Sequence, residues 1–139
     1  ELAFAGLHQL LAPLLDRLRS RGTTVALPRT RDGDIVPVIW TPGSPMTETS
    51  FGSREPTDGR VLQARELDLI VVPGGAFDRS CHRVGYGGGF YDRLLASARD
   101  GTAAVAIAFG MQVVEEVPTG PLDRPVDAIV TEDDVIRCR

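Results

Sequence analysis

Near the start of the chain apolar residues recur at helical spacing: Leu7, Leu10, Leu11, Leu14, Leu15 and Leu18, interleaved with arginines and followed by Gly22. That period predicts an amphipathic helix stopped by a glycine. Pro13 interrupts it, and proline suits a first helical turn, so the helix is expected to begin near Ala12. Residues 24–27 read as a short strand closed by Pro28. Residues 32–40 read as a strand pair or extended segment around Asp32-Gly33 and Pro37, and residues 41–58, rich in proline and glycine, as mostly loop. The runs 67–72, 103–109 and 128–131 are continuously apolar and of strand length, as in a sheet covered on both faces. Tyr91, Leu94, Leu95 and Ala98 form the apolar stripe of a helix between two of these runs. This alternation predicts an α/β layered fold with a mostly parallel sheet flanked by helices. Ligands in such sheets sit beyond the strand C-termini.

The stretch 68–93, DLIVVPGGAFDRSCHRVGYGGGFYDR, lies just there. Gly85-Tyr86-Gly87-Gly88-Gly89 runs straight into the helical pattern that starts at Phe90-Tyr91-Asp92. Glycines leave backbone amides bare, and a helix N-terminus adds partial positive charge, a combination suited to anions. Arg79, Arg83 and Arg93 lie on the same segment. Two familiar glycine motifs are excluded. The dinucleotide fingerprint G-x-G-x-x-G fails at Phe90, and the P-loop needs a lysine, of which the chain has none. The residues alone leave two readings open, a phosphate cradle and a tight turn that only glycine permits.

From Val72 onward the stretch resembles the motif of the 5-formyltetrahydrofolate cyclo-ligase (methenyltetrahydrofolate synthetase) family, roughly V-P-x-x-A-F-D-x-x-G-x-R-L-G-x-G-x-G-Y-Y-D. Pro73, Ala76, Phe77, Asp78, Arg83, Gly85, Gly87, Gly89, Tyr91 and Asp92 fall in register. Phe51-Gly52 with Glu55-Pro56 resembles the family's F-G-x-x-E-P. Pro118, Asp123, Asp127 and Val130-Thr131-Glu132 resemble its closing run, so the likeness extends from about Leu14 to Ile136. The resemblance implies a reaction in which Mg-ATP drives conversion of 5-formyltetrahydrofolate to 5,10-methenyltetrahydrofolate, with release of ADP and phosphate. It implies catalytic roles for Arg83 and Tyr91, and ATP contacts along Arg83, Val84, Gly85, Tyr86, Gly87, Gly88, Gly89, Phe90 and Tyr91. Tyr86 to Phe90 also match a stretch that touches the folate, and Phe90 could stack on its flat ring. Asp92 and Asp123 match positions that bind magnesium (Mg2+), a hard cation satisfied by one or two carboxylates plus phosphate oxygens and water.

Composition narrows the setting. At 139 residues the chain suits a single domain, 1–139, long enough to bury roughly two-thirds of its unfolded surface. A net charge of −4, with all fifteen basic residues arginine, argues against a broad nucleic-acid surface, so the useful positive charge is local. Cys81 and Cys138 make neither a C-x-x-C pair nor a disulfide framework, which suits a reducing cytosol. No apolar run approaches the roughly 20 residues of a membrane span. These features lead to the expectation of a cytoplasmic, monomeric protein acting on a small folate, with no membrane or nucleic-acid partner.

Each site residue also has a plainer reading. An acid in a first helical turn is favourable in itself, by about 0.3–1 kcal/mol, so Asp92 reads also as a capping residue. Asp123, between Pro121 and Pro125, reads as a turn aspartate, and Asp78 as a loop anchor. Phe77 and Tyr91 read as core, His82 as a solvated loop residue, and Trp40 as packing under the loop 41–58. Cys81 stands where the family has glycine. The family's N-terminal basic segment that contacts ATP is expected to be missing, and its folate-binding glutamate falls at His8, with Glu1 nearby but out of register. These departures set a working cyclo-ligase against a non-catalytic nucleotide- or folate-binding homologue. A sugar-phosphate isomerase, a third class of similar layering, needs an acid–base pair near the phosphate loop, and the sequence offers no convincing one.

Overall fold

The computed structural model describes residues 2–50 and 52–139, with side chains from residue 11 onward. Two compact units make up the chain, Glu1–Gln63 and Ala64–Arg139.

In the first unit helix α1 spans Leu2–Ser20 and contains Pro13. It therefore begins well before Ala12: proline costs a hydrogen bond in a helix interior but does not always end the helix. The helix stops as expected at Gly22, at φ 85°. The Gly22 N–H donates to Arg19 O and that of Thr23 to Leu18 O, at 3.0 Å each, a Schellman closure. Strands β1 (Ala26–Arg31) and β2 (Asp34–Ile39) form an antiparallel hairpin. Asp32 and Gly33 turn it with φ of 51° and 78°, the paired positive values of a type I′ turn. Pro28 does not close β1, because it lies directly opposite Pro37. Neither residue has an N–H, so they occupy a non-hydrogen-bonded pair and the ladder loses nothing. Within 41–58, β3 (Met46–Glu48) and β4 (Arg54–Pro56) form a second hairpin where loop was expected. The Glu55 carboxylate accepts the Thr30 N–H at 2.9 Å, tying the two hairpins together. Val38 and Trp40 are buried in this unit.

The second unit is built on a four-stranded sheet. Strands β5 (Leu69–Val72), β8 (Ala103–Ile107) and β10 (Ala128–Val130) run parallel, and β11 (Val135–Arg137) pairs antiparallel with β10 at the edge. Between β5 and β8 the chain forms β6 (Ala76–Asp78), β7 (Arg83–Val84) and helix α2 (Phe90–Ser97). Strand β6 pairs antiparallel with β7 and parallel with β9 (Val113–Val114). The architecture is thus mixed α/β. Three of the sheet's four strands are parallel as the apolar runs predict, but the remaining pairings are hairpins or mixed, and α2 is this unit's one α-helix. Ile70, Val72, Phe77, Ala104, Ala106 and Ile129 form the core, and Tyr91, Leu94, Leu95 and Ala98 of α2 pack against it.

The cysteines depart from expectation. Cys81 and Cys138, 57 positions apart, form a disulfide. After β11 the tail turns back, and the Asp127 carbonyl accepts the N–H groups of Cys138 and Arg139. That brings Cys138 beside the turn between β6 and β7, a proximity that sequence spacing does not reveal.

Candidate active site

The site is assembled from the segments that follow β5. The strand delivers Pro73-Gly74-Gly75. A Cβ at Gly74 would lie 2.7 Å from the Phe77 ring, so only glycine lets the chain turn this close to the core. The Gly74 carbonyl accepts from Tyr86 Oη at 3.2 Å and Gln112 Nε2 at 3.1 Å. Gln112 also accepts the Phe109 N–H at 2.8 Å, which fixes its amide. Val84, on β7, accepts the Gly75 N–H at 2.8 Å.

The turn between β6 and β7 is organised around Asp78, which is buried. One carboxylate oxygen accepts the N–H groups of Ser80 and His82. The other accepts that of Val117 at 3.2 Å and lies 3.3 Å from His82 Nδ1. Burial raises its pKa, but the hydrogen bonds from Val117, His82 and Ser80 outweigh burial and hold it below the ordinary 3.8. The anchoring reading of Asp78 is therefore correct. His82 is only half solvated, with its ring steered by Asp78.

Arg83, 6 % exposed, emerges from this turn. Its Nη1 donates to Pro73 O at 3.2 Å and its Nη2 to Asp92 Oδ1 at 3.0 Å. Its Nε is buried and has no hydrogen-bond partner. The arginine thus ties the end of β5 to the first turn of α2. Asp92 is not simply a capping residue: the same Oδ1 also accepts the Arg124 N–H at 3.0 Å. The loop holding Asp123 is thereby fastened to α2. Asp123 accepts the Gly120 N–H at 2.7 Å, the turn role its flanking prolines suggest. His82, Arg83, Gly120, Asp123 and Arg124 line a cavity of about 140 Å³.

The glycine loop lies between Arg83 and α2. A Cβ on Gly85 would approach Arg83 Nη1 to 3.2 Å, and one on Gly88 would meet the Phe90 ring at 2.4 Å. Gly87 and Gly89 hold φ of 99° and 66°, where side chains are strained. Gly89 caps α2 without any side-chain hydrogen bond, so no side chain closes the N-terminus of the helix. Phe90 lies against Gly88 and carries the Arg93 guanidinium 5.3 Å from its ring centroid. Tyr86 is half exposed. Tyr91 packs against the core as well as adjoining the site. Its phenol is pushed up to about 12 by burial, with the Arg83 charge pulling the other way.

The structure thus gathers Arg83, Asp92, Asp123 and the glycine loop into one region of the second unit. Phe51, Glu1 and the His8 side chain lie outside the described residues. Gln112, Gly120 and the Arg124 amide escape a reading of the sequence, because each acts through backbone geometry or a distant partner, and the His82–Asp78 contact does so because it depends on the shape of the turn between β6 and β7. No group of three or more His, Cys, Asp or Glu side chains able to hold a metal occurs among the described residues. None of their helices is long and apolar enough to cross a membrane.

A parallel-stranded sheet with a glycine loop feeding a helix marks a mixed α/β protein with an anion-suited loop. The 5-formyltetrahydrofolate cyclo-ligase family model matches residues 10–132, and the chain belongs to that family. It is 35 % identical over 129 residues to the 5-formyltetrahydrofolate cyclo-ligase of Escherichia coli, covering 88 % of this chain and 71 % of that one. The Mycolicibacterium smegmatis enzyme of the same name is 35 % identical over 126 residues, 85 % of this chain and 64 % of that one. The Haemophilus influenzae enzyme is 40 % identical over 88 residues, 61 % of this chain, and the match spans 47 % of that relative's length. The solved structure of Aquifex aeolicus 5,10-methenyltetrahydrofolate synthetase superposes with a TM-score of 0.78 at 35 % identity, covering 93 % of this chain and 65 % of that one.

Proposed function

We propose that this protein converts 5-formyltetrahydrofolate to 5,10-methenyltetrahydrofolate at the expense of ATP, releasing ADP and phosphate, with Mg2+ as the metal. The observation that carries the reading is the joining of Arg83, Asp92 and the Asp123 loop beside a glycine loop that would be obstructed by added side chains. The residues fit the absent groups. Buried Arg83 Nε lacks a partner, and a helix N-terminus that no side chain caps suits phosphate oxygens. Asp92 and Asp123 each have one oxygen engaged by protein N–H donors. Two such carboxylates suit an ion held largely by phosphate oxygens and water.

Bound Mg-ATP supplies the phosphoryl group that turns the formamide oxygen into a leaving group, so the neighbouring amine can close the ring. The chain's own contribution is positioning and charge neutralisation. Arg83 places fixed positive charge at the loop, and its bonds to Pro73 and Asp92 mean that little reorganisation is needed when a ligand arrives. Tyr91, with its pKa raised, stays protonated at neutral pH and can donate a hydrogen bond. Tyr86 and Phe90 offer aromatic surface to the folate. Both units act as one catalytic domain, since the family match spans both, working as a cytosolic monomer on a small molecule.

The test is turnover of 5-formyltetrahydrofolate with Mg-ATP, followed by the absorbance of the methenyl product, with Asp92→Asn in parallel. Turnover that collapses in the variant supports the reading. Nucleotide binding without turnover would instead make the protein a binding module.

A further inference from the structure

Cys81 and Cys138 have no part in that chemistry, yet their disulfide is attached to the site's framework. We propose that it is a reversible redox modification site that sets the rigidity of the turn carrying Arg83, with a dithiol as its co-reactant.

Cys81 is fully buried and sits at φ 66°. Among the described residues only Asp32 shares a positive φ without being glycine, and Asp32 is in a hairpin turn that calls for it. A residue with a Cβ keeps this conformation only where its surroundings impose it. Three links do so here. The Cys81 N–H donates to Asp78 O at 3.0 Å, its carbonyl accepts the Val126 N–H at 2.9 Å, and its sulfur is bonded to Cys138. The first two lead toward the site, and the third ties them to the tail. Asp78 organises the turn, Arg83 follows two positions later, and Val126 lies two positions beyond Arg124, whose N–H holds Asp92. The disulfide closes a loop containing the whole glycine segment, α2 and the Asp123 loop.

Cys138 is the accessible end, exposed on the tail after β11. A thiolate of the reductant bonds to Cys138 Sγ, and the electron pair of the breaking S–S bond passes to Cys81 Sγ, which takes up a proton. The reductant's second thiolate then attacks its own sulfur in the mixed disulfide and expels the Cys138 thiolate, which is protonated in turn. The dithiol leaves as a disulfide and the protein gains two thiols, a balanced two-electron exchange. Loss of the link removes one restraint on Cys81 and frees the tail.

The experiment compares the protein in oxidised and dithiol-reduced forms. Thiol titration in denaturant should rise from zero to two. Reduction should lower Tm by about 10 °C for a loop of this length and speed hydrogen exchange of the 78–84 amides several-fold. Resting on the reading above, ADP should bind several-fold more weakly to the reduced form. Cys138→Ser should behave as the reduced form whatever the treatment. Cys81→Gly loses the link but permits the positive φ, so it should keep most of the ADP affinity and ignore the dithiol. Two free thiols in the oxidised protein, or equal exchange of the 78–84 amides in both forms, overturns the proposal. Absence of ADP binding in both forms, with the exchange difference intact, counts against the catalytic reading alone.

Discussion

Two adjoining segments of the second unit treat their backbone in opposite ways. From Asp78 to Arg83 the polar groups are turned inward: one buried carboxylate collects three N–H groups, and the arginine bonds to a carbonyl and a second carboxylate. From Gly85 to Gly89 the chain has no Cβ atoms except at Tyr86, and it ends in a helix cap with no side-chain partner. The first segment spends its polar groups on the protein, apart from Arg83 Nε, and is stiff; the second leaves a glycine backbone without crowding side chains. The contrast shows how one short stretch can carry both the rigidity and the vacancy that phosphoryl transfer needs, provided they fall on different residues.

The comparison breaks most severely at the residue joining the two segments. Arg83→Ala should cost about 3–5 kcal/mol in urea unfolding, because it strands a partly buried Asp92, and should lower turnover about 10²–10³-fold. Arg83→Lys should recover part of the stability but little of the rate, since an ammonium cannot bridge Pro73 and Asp92 as a planar fork does. Next, Asp78→Ala should cost about 3 kcal/mol by orphaning three N–H donors. Asp78 also predicts an acid limb. Its folded pKa lies below its unfolded one, so its contribution is present above about pH 3.8 and fades as the pH falls toward the lower folded value. Asp78→Asn should flatten that limb in stability measured against pH.

On the open side, Gly88→Ala should cost only about 1–2 kcal/mol, because the Phe90 ring must shift. Its nucleotide affinity should nevertheless fall tenfold or more by calorimetry. If Gly88→Ala proves more destabilising than Asp78→Ala, the division into stiff and open segments fails. The smallest effect is expected at His82→Gln, about 0.5 kcal/mol in unfolding, because its ring is half exposed and glutamine keeps a polar group beside Asp78.

Much of this organisation is written locally. The parallel strands and α2 show as uninterrupted apolar runs and a helical stripe, and the Asp32-Gly33 turn as a dipeptide. The short pairings β6–β7 and β6–β9 do not, because two or three residues carry no period and depend on tertiary placement. Prolines misled twice. Pro13 sits inside α1, and the pairing of Pro28 with Pro37 is invisible until strand register is known. The glycine loop, Arg83 and Asp92 are legible through motif spacing. The sharing of Asp92 Oδ1 between Arg83 and the Arg124 N–H is not, nor is the Gln112 clamp on Gly74. The disulfide is least legible of all, since it depends on where β11 leaves the tail.

The division of the chain into two units also distributes its chromophores. The single tryptophan, Trp40, is buried in the first unit, and both tyrosines, Tyr86 and Tyr91, belong to the second. Indole emission therefore reports on the first unit and tyrosine absorbance on the second, with no label added. Superimposable melting curves at the two wavelengths would mean that the units unfold as one cooperative body, and separated curves that each keeps its own transition.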